Sequence, residues 1–188
     1  MRLGFETVLL LALGIVVYSW LSVYQPILAN ATTFYLLLAV SCTIVIMLLE
    51  QKFPVDKPNR WIVEAAAYSF MCMTLIAAMF SFLHYSFQYV IMAEINALYF
   101  LLVALGEDLF TYGLPLALEK HTPLGKGIYL VFLGLFATLH YPAYKNPYLL
   151  LQPFVAACIN MYIVKKYRNV AGVVIGHFLT DVVLSGVV

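Results

Sequence analysis

Residues 88–118 read QYVIMAEINALYFLLVALGEDLFTYGLPLAL, an apolar run with Glu107 and Asp108 side by side in its interior. A straight helix of that length spans about 46 Å at 1.5 Å per residue, more than one bilayer crossing needs. Gly113 and Pro115 near its end offer a place to unwind or kink. An ionisable side chain at the bilayer centre costs about 2.5–3.5 kcal/mol on insertion scales, so such a group is expected to face a bundle interior.

The rest of the chain has the same character. It holds 188 residues, 64% hydrophobic and 10% charged, with net charge +1 and mean hydropathy +0.96. A soluble domain of this size cannot bury that much apolar surface. The reading is all-α: a polytopic membrane helix bundle forming a single integral domain over residues 1–188. Seven spans are expected, near 6–24, 34–49, 61–83, 88–118, 127–141, 148–164 and 170–187. No basic patch with interleaved aromatics points to nucleic acid. Cys42, Cys72 and Cys158 lie in apolar runs without CxxC spacing, which suits packing rather than disulfides or a thiolate metal site.

Nine of the ten Lys and Arg residues fall on one side of this arrangement, in Arg2, Lys52–Arg60, Lys120–Lys126 and Lys165–Arg168, against Lys145 on the other. By the positive-inside rule the N-terminus is cytoplasmic and the C-terminus external, in a multi-pass protein of the cell membrane. Ala29-Asn30-Ala31 resembles a signal-peptidase site, but the preceding run is long for an h-region and contains Tyr18 and Trp20, so a retained first helix is expected. Asn30-Ala31-Thr32 is a formal glycosylation sequon on the outer side.

Helix rise then gives depth. Glu107 lies about 18 Å from the boundary residue Glu119, and His140 about 20 Å from Gly127. His177 and Asp181 lie about 12 and 18 Å from Asn169. Three helices therefore bring titratable groups to similar depths, which membrane insertion alone does not require. His177 and Asp181, at i,i+4, share a face, so the carboxyl can orient the imidazole. Asp108 and Tyr112 have the same spacing, which lets the tyrosine hydroxyl donate to the carboxylate. Phe136 sits one turn before His140. Each polar residue taken alone also fits a role as interhelical glue. Glu64 and Glu94 near span ends read as structural, His84 and His121 as solvated loop residues, and the tyrosines mostly as packing or interface residues.

At these residues the chain resembles the CAAX-protease and bacteriocin-processing (CPBP, or Abi) family of glutamic-type intramembrane proteases. That family carries Glu-Glu-x-x-x-Arg, Phe-x-x-x-His and His-x-x-x-Asn or Asp on successive helices. Here the motifs read Glu107-Asp108-Leu109-Phe110-Thr111-Tyr112, Phe136-Ala137-Thr138-Leu139-His140 and His177-Phe178-Leu179-Thr180-Asp181. The likeness covers about residues 100–185. It departs at Asp108, one methylene shorter than Glu, and at Tyr112, which lacks the permanent charge and bidentate fork of Arg.

The resemblance implies that Glu107 activates water, that His140 positions it and shuttles the proton, and that His177 and Asp181 occupy the oxyanion-stabilising positions. Asp181 must then be protonated or hold His177 as the donor, because an ionised carboxylate repels an oxyanion. Asp108, Tyr112 and Phe136 support the site. No cofactor or metal is expected; Glu, two His and Asp are plausible zinc ligands, but HExxH-type spacing is absent. The expected substrate is a membrane-anchored, lipidated or leader-bearing peptide. Two alternatives stand beside the protease: a degenerate relative serving as a binding, immunity or assembly protein, and a proton-coupled carrier, against which no repeated halves are visible.

Overall fold

The computed structural model describes residues 14, 31–50, 59–82, 97–144 and 146–185. The expected first span, the Asn30 sequon, His84, Glu94 and Lys145 lie outside the described residues. Helices α1 (Ala31–Glu50), α2 (Asn59–Phe82) and α3 (Ala97–Asp108) come first, and a π-helical turn (Leu109–Gly113) joins α3 to α4 (Leu114–Leu118). Then follow α5 (Ile128–Leu139), the single turn α6 (Tyr141–Tyr144), α7 (Leu151–Tyr167) and α8 (Val170–Ser185). Short 3₁₀ turns at Gly125–Gly127 and Pro147–Leu150 lead into α5 and α7. Among the described residues there is no strand.

Three of these segments, Arg60–Phe80, Ala97–Leu118 and Pro147–Tyr167, are long and apolar enough to cross a membrane, and Thr33–Leu49, Gly125–Leu139 and Val170–Leu184 are shorter apolar helices. They fall on six of the seven expected spans. The chain is an all-helical membrane bundle. Its outer faces carry Leu48, Val63, Leu130 and Tyr162, each more than 60% exposed. In water such a surface is a liability, but lipid tails solvate it at no cost.

The described part of the opening stretch, Ala97–Leu118, is the central helix. Its apolar window is 78% buried within the protein, against 28% for Arg60–Phe80 and 39% for Pro147–Tyr167. Within the described residues a wider turn, rather than a break, interrupts this helix. Leu114 N–H bonds to Leu109 O, five residues back. Pro115 has no N–H to offer the preceding turn, so the ladder loosens where the sequence placed its weak point.

Close packing around this helix depends on missing side chains. A Cβ added at Gly106 would lie 2.9 Å from the Tyr35 carbonyl oxygen of α1. Gly172 and Gly176, spaced i,i+4 on α8, press against α2: an added Cβ would meet Ala65 Cβ at 2.6 Å and the Ala66 carbonyl oxygen at 2.6 Å, respectively. Small residues at this spacing let two membrane helices approach to backbone contact. Asn169 fixes where α8 begins, its Oδ1 accepting from Gly172 N–H at 2.9 Å, as an N-cap residue does. The adjoining Arg168 takes a left-handed conformation (φ 52°) to close the turn from α7.

At that end of the bundle cations and aromatic rings interleave. Arg60 lies over Trp61, Lys165 over Tyr129, and Lys166 over Tyr68 and Tyr167. Tyr129 also donates to Glu119. Such amphipathic rings with basic partners favour the headgroup layer.

Candidate active site

Glu107 and Asp108 end α3 immediately before the π-turn, and both are buried, at 6% and 0% exposure. His177 projects from α8 one residue after the tight contact at Gly176. The imidazole sits among three carboxylates. Its Nδ1 donates to Asp108 Oδ1 at 3.1 Å, while Nε2 stands 3.5 Å from Asp181 Oδ2 and 3.9 Å from Glu107 Oε2. The expected i,i+4 relation of His177 and Asp181 is met, but the closer carboxylate is Asp108 from another helix.

His140 occupies the C-cap of α5. Its Nδ1 lies 3.0 Å from the Phe136 carbonyl oxygen, and the Phe136 ring packs edge-on at 4.7 Å between centroids. A carbonyl only accepts, so Nδ1 carries the proton and Nε2 is the basic nitrogen. Phe136 thus supports His140 through both backbone and ring.

His140, His177, Asp181 and Tyr112 all line a cavity of about 80 Å³ between α2, the π-turn and α5–α8. That volume holds a few waters. Glu107 and Asp108 are not in its wall and reach it through His177. Motifs distant in sequence therefore converge at one buried polar cluster.

One expectation fails. Tyr112 does not hydrogen-bond to Asp108, and Asp108 Oδ2 is buried without a partner. The i,i+4 argument assumes 3.6 residues per turn, but the intervening turn is π-helical and carries Tyr112 round to another face. There the ring is fully buried and lines the cavity together with Asn160 of α7.

Three contributors were missed in the sequence. Tyr35 donates to Glu107 Oε1 at 3.2 Å, across the close contact at Gly106. Asn160 accepts from Ser69 Oγ at 2.9 Å and reaches Met73 Sδ at 3.2 Å, tying α7 to α2. Thr180, on the cavity wall, turns its hydroxyl back to the Gly176 carbonyl at 2.9 Å. Asn160, a strong amide in mid-span, was the most readable signal of the three. Of the residues set aside as structural or solvated, Glu64 is exposed and His121 half-buried.

Residues 92–183 match the model of the Rce1-like family, type II CAAX prenyl endopeptidase Rce1-like. The matched segment runs from before α3 almost to the end of α8, so it contains all three motifs and most of the residues that line the cavity. This bears out the resemblance read from the motifs: the matched residues are similar to the CAAX-protease (CPBP) family. At the family level the activity is that of a membrane prenyl-protein endopeptidase. No curated protein and no solved structure matches the chain.

Proposed function

We propose that the protein is a glutamic-type intramembrane endopeptidase acting on a membrane-anchored substrate, a prenylated protein terminus foremost. The observation that carries this reading is the convergence of Glu107, His177 and Asp181 with a cavity that His140 also lines. A dry site with prepositioned acids and bases is what peptide hydrolysis within a bilayer needs.

Glu107, held on one oxygen by Tyr35, has the other turned toward His177 and serves as the base. It takes a proton from water as the water oxygen bonds to the scissile carbonyl carbon. His140 offers Nε2 to orient that water and carries the proton on to the leaving amine as the C–N bond breaks. Asp108 fixes the His177 ring through Nδ1, and Asp181 either holds Nε2–H or carries a proton itself. The chain works as a single integral domain, multi-pass in the cell membrane. Its basic ends are cytoplasmic, which puts the site within reach of lipidated chains on that leaflet.

The second reading is a binding or assembly protein of the same family. The absence of an arginine at 112 favours it, because Asp108 Oδ2 is left without a donor. One assay separates the two. Purified protein in liposomes receives a farnesylated peptide and a leader-bearing membrane peptide, with products identified by mass, with and without a chelator. Chelator-insensitive cleavage of the farnesylated peptide is expected. Retained peptide binding with no cleavage of either substrate contradicts the protease and supports the binding protein.

A further inference from the structure

The proposed chemistry leaves one requirement unmet. When water adds to the carbonyl, the carbonyl oxygen becomes an oxyanion and needs a fixed hydrogen-bond donor, one of the larger single contributions to acyl-transfer catalysis. The positions carried over from the family for this role are His177 and Asp181. Here His177 Nδ1 is committed to Asp108, and Nε2 faces two carboxylates. With Asp181 ionised beside Nε2 at 3.5 Å, neither residue turns a donor clear of a carboxylate to the cavity.

The opposite wall does. Ser69 Oγ donates to Asn160 Oδ1 at 2.9 Å, which orients the amide so that Nδ2 points away from Ser69. Nδ2 has two hydrogens. Met73 Sδ, at 3.2 Å, is a weak acceptor for one, which leaves the other for the Tyr112 hydroxyl that shares the cavity wall with Asn160. A hydroxyl oxygen that accepts from the amide keeps its own O–H free to donate. Tyr112 is 1% exposed and Asn160 likewise 1%, and both line the cavity with His140. Three elements (α2, α7 and the π-turn) thus fix a single hydroxyl. The π-turn itself turns Tyr112 to this wall.

We propose that the Tyr112 hydroxyl, aligned by Asn160 and Ser69, is the donor this chain presents to the scissile carbonyl oxygen. Tyr112 is then a catalytic residue by direct contact with substrate, and Asn160 and Ser69 are positioning residues. The departure from the arginine motif reads as a relocation of the oxyanion donor rather than a loss of chemistry. The inference rests on the protease reading above.

The test uses the full chain in liposomes with a farnesylated peptide, and the same peptide carrying a phosphinate at the bond the wild type cleaves. Tyr112→Phe keeps the ring and removes only the hydroxyl. It is expected to lower kcat about 10²–10³-fold, leave KM within twofold, and weaken phosphinate binding in proportion to kcat. Ser69→Ala, outside the reacting atoms, is expected to lower kcat several-fold with KM unchanged, and it carries the test alone if Tyr112→Phe does not fold. Activity of Tyr112→Phe within threefold of wild type, with Glu107→Gln inactive, overturns the donor assignment and leaves the protease standing. An equal loss of affinity for substrate and phosphinate also overturns it, because the hydroxyl then contributes binding alone. A wild-type protein that cleaves nothing removes both readings.

Discussion

Two surfaces of α8 are built on opposite principles. Toward α2, Gly172 and Gly176 remove side chains so completely that any added carbon collides with backbone. Toward α3, His177 meets Glu107 and Asp108 across the interface, with Asp181 of its own helix beside it. The first surface holds position and has no chemistry. The second has chemistry and depends on that position, because His177 directly follows Gly176. In a bilayer, where apolar contact with lipid is as favourable as contact with another helix, shape must locate the helices and leave the polar groups to react.

Substitutions on the two surfaces should therefore fail in different ways. The largest expected effect is on the polar side. His177→Ala removes the ring that links three carboxylates, and turnover of a farnesylated peptide should fall about 10³-fold while thermal unfolding in detergent stays near wild type. A drop in both would mean that this surface also supports the fold. On the glycine side, Gly176→Leu should destabilise the bundle by about 3 kcal/mol, read as early unfolding and loss of the monodisperse detergent peak. Normal folding of this variant would show that α2 and α8 are not in backbone contact.

Asp108→Asn is intermediate. It retains a partner for His177 Nδ1 but removes a charge, so a roughly tenfold loss of turnover is expected without a change in stability. The smallest effect belongs to Tyr35→Phe. Interhelical hydrogen bonds in membranes average about 0.6 kcal/mol, so the variant should melt close to wild type and lose only a few-fold in rate.

The fold was legible because apolar runs of span length leave little choice in a bilayer. Residues 34–49, 61–83, 127–141, 148–164 and 170–187 each became a helix, with ends moved by a few residues. The site was legible for a different reason: ionisable groups in such runs are costly enough to stand out, and helix rise placed them at matched depths. What escaped notice was cheap or local. Tyr35 was one tyrosine among fourteen. The glycine pair on α8 carries no charge to draw attention. The π-turn adds one residue to a single turn, which no hydrophobic period reveals, yet it decides where Tyr112 points. The i,i+4 pairing with Asp108 failed for that reason alone.

The central claim is that Glu107 is the base that activates water at this site, and single-turnover cleavage by Glu107→Gln tests it most directly. The variant keeps the size of the side chain and its contact with Tyr35 but cannot take a proton. With a farnesylated peptide in excess protein, the account predicts cleavage at least about 10³-fold slower than wild type, with an unchanged melting profile and unchanged peptide binding. Cleavage within threefold of wild type by this folded variant would contradict it.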